Sequence, residues 1–201
     1  LTDDSGSVAV TTDYLAVLGT STAYSKLEFE TIHPRAVAPV GYLREGLNLV
    51  SLPLQPLPSY SGDLRQIFGK NAVPDTLFAQ RGRGFYLKYQ GTPPSPVSLL
   101  GTQDEPEFPV HVATAGTTLL GCPYNRPLPL SRVLVERAGA MRTAEQDAAN
   151  PSPWVNWNWQ YLEGGAWKSC RLTGGQDDQL RPWYGYRVTT LVDGVTVTLR
   201  D

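Results

Sequence analysis

Alternation of apolar and polar positions runs through much of the chain and predicts strands rather than helices. Val8, Val10, Thr12, Tyr14, Ala16 and Leu18 share one face of an extended segment, with Ala9, Thr11, Asp13, Leu15 and Val17 on the other. Gly19-Thr20-Ser21 reads as a turn. Tyr24 to Ile32 reads as a second strand, in which Leu27 and Phe29 alternate with Lys26, Glu28 and Glu30. These strands make an N-terminal hairpin region, residues 1–37. Within it Val8, Val10, Tyr14 and Leu18 mark a candidate assembly strand, because an end strand can add to a neighbour's open sheet edge.

Further along, the apolar run Gly46 to Leu54 is too short for a helix and is stopped by Pro56 and Pro58, which predicts a buried strand. Asp63 is placed to cap a short helix through L-R-Q-I-F, with Gly69 to end it. Strands are predicted at Thr76 to Gln80 and Gly84 to Tyr89, joined by a tight turn at Arg81-Gly82-Arg83-Gly84. Val97 to Leu100 and Pro109 to Ala113 are strands on either side of an acidic loop at Asp104-Glu105-Pro106-Glu107. Ser131 to Asn150 is predicted as the one longer helix, opened by Ser131 and ended before Pro151. Strands resume at Trp154 to Leu162, Ala166 to Leu172, Tyr184 to Thr190 and Val195 to Leu199. Gly164-Gly165 and Asp193-Gly194 supply hairpin turns.

One phrase occurs twice. Glu45 to Pro56 read E-G-L-N-L-V-S-L-P-L-Q-P, and Ala115 to Pro127 read A-G-T-T-L-L-G-C-P-Y-N-R-P. Each is followed by a second paired phrase, R-G-R-G-F-Y-L-K-Y at Arg81 to Tyr89 and R-P-W-Y-G-Y-R-V at Arg181 to Val188. Self-similarity of this kind is the mark of one structural unit used twice. The expected fold class is all-β, an antiparallel β-sandwich or barrel-like domain from two unequal repeats, with one or two short helices. The repeats span 38–114 and 115–201, the second carrying a helical and Trp-rich insertion at 131–160.

Composition narrows the chemistry. A length of 201 residues suits one large domain or two small ones sharing a core. A net charge of -2 with no Lys/Arg cluster leaves no electrostatic footprint for nucleic acid. No apolar run approaches the ~20 residues that cross a bilayer as a helix, so no membrane insertion is expected. His33 and His111 are the only histidines, and no nucleophile-elbow, zinc or phosphate-loop motif accompanies them. No catalytic residue, cofactor or metal ligand is therefore assigned. Two groups of acids, Asp104, Glu105 and Glu107 and then Asp177 and Asp178, keep open the carboxylate pair that a glycosidase needs. Cys122 and Cys170 are a candidate disulfide bracing the second repeat, which would imply an oxidising compartment; two unrelated buried thiols are the alternative.

Tryptophan is the strongest functional signal. Trp154, Trp157, Trp159, Trp167 and Trp183 all lie near the C-terminal end. Strand alternation puts Val155, Trp157, Trp159 and Tyr161 on one face, as core, and Trp154, Asn156, Asn158 and Gln160 on the other. Trp154, Asn156 and Asn158 are the candidate ligand-stacking residues, with Trp154 expected to be exposed. Aromatic rings flanked by amides suit a sugar.

The paired phrases resemble a module of large exported, surface-associated bacterial proteins, whose units begin G-W-N-L-(I/V)-S-L-P and close with G-x-G-Y-W. Gly46, Asn48, Leu49, Val50, Ser51, Leu52 and Pro53 carry the first match, with Gly82, Gly84, Phe85 and Tyr86 closing it. Gly116, Leu119, Leu120, Gly121 and Pro123 carry the second, closed by Pro182, Trp183, Gly185 and Tyr186. Leu47 and Thr117 stand where that module has Trp, and Phe85 and Arg187 also depart from it. The resemblance covers roughly residues 38 to 199 and carries no catalytic residues. With it the expectation is a non-catalytic structural or interaction protein of the bacterial surface or extracellular space, and the N-terminal strand adds the expectation that it self-associates into a filament or layer or binds other surface proteins. A carbohydrate-binding module is the alternative, and a glycoside hydrolase with two loop carboxylates the second.

Overall fold

Period-two burial is written into the strands. Val155, Trp157, Trp159 and Tyr161 are buried while Asn156 and Asn158 between them are exposed, and Val195, Val197 and Leu199 are buried between less buried threonines. The computed structural model describes residues 35–57, 64–76, 79–103, 106–172 and 178–201, all within one unit, Arg35–Asp201. The N-terminal strand with Val8, Val10, Tyr14 and Leu18 lies outside the described residues.

The first half contains β1 (Arg35–Val37), β2 (Gly41–Leu43), β3 (Gly46–Ser51), β4 (Gln55–Pro56), helix α1 (Leu64–Phe68), β5 (Ala72–Pro74), β6 (Gly84–Tyr89), β7 (Ser95–Val97) and β8 (Leu100–Thr102). The second contains β9 (Glu107–Val112), β10 (Gly116–Gly121), β11 (Leu128–Pro129), β12 (Leu134–Arg137), β13 (Ala140–Thr143), helix α2 (Ala144–Ala148), β14 (Val155–Glu163), β15 (Ala166–Arg171), β16 (Gln179–Leu180), β17 (Gly185–Thr190) and β18 (Val195–Arg200). All pairings between these strands are antiparallel, so the expected all-β class holds.

Two four-stranded sheets, ordered β10-β17-β14-β15 and β13-β12-β18-β9, cover the larger core. Leu120, Trp159, Tyr186 and Val188 come from the first, and Val110, Val135, Val197 and Leu199 from the second. A smaller core in the first half gathers Leu52, Leu54, Phe68, Phe85, Leu87 and Leu99.

The two paired phrases meet in the same way. Strand β3 pairs with β6 from Gly46↔Tyr89 to Ser51↔Gly84, and β10 pairs with β17 from Gly116↔Thr190 to Gly121↔Gly185. Each opening glycine has a positive φ, 85° at Gly46 and 139° at Gly116. The two pairs then cross. Val50 bridges to Tyr184, and Leu120 bridges to Arg83. Ser51 N–H donates to Trp183 O at 2.9 Å, and Gly121 N–H to Gly82 O at 3.0 Å. There is no spare room at the crossing. A Cβ on Gly121 would lie 2.0 Å from that of Ser51, one on Gly84 2.8 Å from Leu120 O, and one on Gly185 2.9 Å from Val50 O.

Before β6 and β17 the chain makes matching turns. Arg83 N–H donates to Gln80 O with φ 73° at Gly82, and Tyr184 N–H to Arg181 O with φ 72° at Trp183. A positive φ in the third turn position, with Pro182 in the second, is type II geometry. Trp183 leaves its own half and enters the smaller core. There it packs edge-on against Phe68, and its indole N–H donates to Pro39 O at 2.6 Å.

Two expected elements are corrected. The helix expected over Ser131 to Asn150 is instead a 3₁₀ turn (Leu130–Arg132), the β12–β13 hairpin and the short α2. Positive φ at Ala138 and Gly139 turns the hairpin there, and Val135 alone of the β12 side chains is fully buried, as a strand requires. The strand expected at Thr76 to Gln80 does not form at residues 76, 79 and 80. Asp75 there closes onto β6, its backbone N–H donating to Tyr86 O and its carboxylate accepting from Tyr86 N–H.

The crossing is testable by a double-mutant cycle. Gly121→Ala should destabilise by about 1–3 kcal/mol in denaturant unfolding through overpacking against Ser51. Ser51→Gly removes the obstructing atoms but also a 2.9 Å bond from its hydroxyl to Tyr184 O. The double variant should therefore lose clearly less than the sum of the singles, and strict additivity would refute the steric account.

Candidate recognition face

The β14–β15 hairpin decides what faces solvent. Gly164 and Gly165 have φ of 61° and 79°, the pair of positive values that a two-residue type I′ turn demands. This sets Leu162 opposite Trp167, Gln160 opposite Ser169 and Asn158 opposite Arg171. On the other flank of β14, Asn156 pairs with Thr189 and Gln160 with Arg187, with a bulge between. The side away from the core thus carries amides down its middle strand, Trp167 and Arg171 on one flank and Arg187 and Thr189 on the other.

Trp167 is 43% exposed and stands on the edge strand. The Arg187 guanidinium carbon lies 4.9 Å from its ring centroid, in cation–π contact. Asn156 and Asn158 are exposed, as expected. Asn156 Oδ1 accepts Asn158 N–H at 3.0 Å, which leaves the Asn156 amide NH₂ to donate outward.

Trp154 must be corrected: it is buried, not exposed. It precedes β14, and its N–H donates to both carboxylate oxygens of Asp147 at 3.0 Å. The Arg142 guanidinium covers its ring at 3.7 Å. Asp147 organises this corner. It has no exposed surface and also accepts from Arg142 Nη1 at 2.9 Å, Val155 N–H at 3.1 Å and Trp157 Nε1 at 3.0 Å. The carboxylate is presented by α2, whose start is a capping box. Gln146 N–H donates to Thr143 Oγ1, and Thr143 N–H donates to Gln146 Oε1.

The disulfide is likewise corrected. No bond joins Cys122 and Cys170. The Cys122 thiol points at Arg126 O, 3.4 Å away, and burial pushes it up to about 12. Cys170 sits in β15 opposite Trp159, inside the larger core. Buried and protonated, Cys122 behaves as a small apolar side chain.

Beside the face lies a narrow cleft between β2, β3 and the β14–β15 turn, offering about 50 Å³, room for a few waters. Its acid, Glu163, accepts from Tyr184 Oη at 2.9 Å and is ion-paired with Lys168 and, at 3.7 Å, with Arg181. The Lys168 hydrogen bond leads in holding Glu163 below the usual carboxylate range, so it stays ionised. Burial pushes Tyr184 the other way. Elsewhere, Glu107 pairs with Arg200 at 3.2 Å, and His111 Nδ1 faces Thr196 Oγ1 at 3.3 Å. Asp104, Glu105, Asp177 and His33 lie outside the described residues. Among the described residues no group of acids, histidines and cysteines is arranged to hold a metal ion.

The exposed aromatic of this face that the sequence pattern left outside the candidate contacts is Trp167. The signal was present: a Gly-Gly two-residue turn fixes register, and register places Trp167 with Leu162 on the amide face. No protein-family model, curated protein or solved structure matches this chain.

Two measurements probe the site's supports. Asp147→Ala leaves Arg142 and several buried N–H groups without their acceptor and should cost about 3–5 kcal/mol in chemical denaturation. A loss below 1 kcal/mol would mean that water replaces the carboxylate. The second concerns pH. Cys122 has an ordinary value of 9.0 and is raised to about 12 on folding, so its contribution is complete below pH 9 and lost between pH 9 and 12. Tyr186, raised by burial, acts in the same direction. Thermal midpoints should fall across that window, and Cys122→Ala should make the fall shallower; an unchanged slope would contradict the assignment.

Proposed function

We propose that this chain is a non-catalytic interaction module of the bacterial cell surface or extracellular space, built from two copies of one β unit. Its recognition surface is the outer face of β10-β17-β14-β15. One observation carries this reading: an exposed Trp167, held beside Arg187, shares a sheet face with a row of amides. Planar aromatics with few degrees of freedom make effective contact surfaces, and amides supply adaptable hydrogen bonds. The matched registers and turns of the two strand pairs support the two-copy reading.

The test is co-sedimentation with purified bacterial cell envelopes. Trp167→Ala should lower the bound fraction about tenfold, with the unfolding midpoint nearly unchanged because the ring stands outside the core. Equal binding by a folded Trp167→Ala protein would remove this face as the recognition surface.

A further inference from the structure

The recognition face has a sign. Its outward positions on β10, β17, β14 and β15 include Arg171 and Arg187 but no Asp or Glu, whereas the whole chain carries a net charge of -2. Among the described residues neither guanidinium has a carboxylate partner, so both keep their donors for a ligand. Arg187 is moreover held in place by its cation–π contact with Trp167, 4.9 Å from the ring centroid.

From this juxtaposition we infer that the ligand is an acidic, carboxylate-bearing polysaccharide. A uronate chain offers all three groups the face requires. The apolar side of its ring packs on the part of the indole that Arg187 leaves exposed, its hydroxyls meet the Asn156, Asn158 and Gln160 amides, and its carboxylate takes a bidentate contact from arginine. Trp167 and Arg171 are four positions apart on β15, about 13 Å along a strand, which is long enough for more than one sugar ring. Nucleic acid fits less well, since its closely spaced phosphates call for a denser basic surface than two arginines.

This inference rests on the recognition face proposed above, and the experiment separates the two. Affinity electrophoresis of the whole chain is run in gels containing polygalacturonate or neutral dextran. Polygalacturonate should retard the protein and dextran should not. Arg187→Gln and Trp167→Ala should each weaken retardation about tenfold or more, while Arg137→Gln, an exposed cation on β12 of the other four-stranded sheet, should leave it unchanged. Equal retardation by dextran, or none by polygalacturonate, overturns the acidic class. Retardation that survives both face variants overturns the site. If envelope binding still depends on Trp167 while polygalacturonate is ignored, the acidic ligand falls and the recognition face stands; if neither binding depends on Trp167, the face falls as well.

Discussion

Close backbone approach at the crossing of the two strand pairs is the constraint on which the rest of the fold depends. Ser51, Gly84, Gly121 and Gly185 are small because larger side chains would strike backbone or core atoms of the other pair. With them in place, Ser51 N–H and Gly121 N–H reach across to Trp183 O and Gly82 O, and each pair borrows a bridge from the other's turn. Two strand ribbons that are marginal by themselves become one structure, with a core on each side of the crossing. The short phrases of the sequence are thus a record of contact. Gly84, Gly121, Gly185 and Ser51 mark where backbones touch, and Val50, Leu52 and Leu120 beside them fill the cores.

The two turns at the crossing solve one geometric problem differently. A positive φ is free for Gly82 but costs an L residue such as Trp183 about 1–2 kcal/mol. Burying a tryptophan removes about 150–250 Å² from water, about 4–6 kcal/mol at the usual coefficient. Burial in the neighbouring core therefore outweighs the strain. Arg81 reaches the opposite way. It is buried beside Phe108 and Tyr124, and its Nε donates to Pro123 O at 2.7 Å. The halves are joined by exchanged side chains as well as by backbone.

Much of this was legible beforehand where the physics is local. Gly84 to Tyr89 and the Val155–Trp157–Trp159–Tyr161 face follow from alternation, and the short helix at Leu64–Phe68 from its flanking signals. The departures have different causes. Over Ser131 to Asn150 the pattern predicts a helix that runs through Gly139, although that glycine marks a hairpin and Thr143 to Gln146 spells a capping box that starts a helix later. Alternation points Trp154 outward only if the strand includes it, but the strand starts at Val155; the chain turns at Trp154 under Asp147, whose contacts no alternation encodes. The cysteines carry no register of their own, so nothing local says whether they meet.

The correction at Trp154 also clarifies the division between stability and recognition. Trp157 and Trp159 stack at 5.9 Å inside the core, and Trp154 is clamped between Asp147 and Arg142. Changing any of these alters buried volume or a buried charge, so they are poorly placed to vary with a ligand. Trp167 is differently situated. It hangs from an edge strand whose pairing is set by a glycine turn, and its neighbours on the face, Leu162, Ser169 and Arg187, are half-buried and belong to neither core. Its identity can therefore change at little cost to the core behind it. A surface free to change over a core that is not suits an interaction module, and it follows from the period of two that separates the faces of β14.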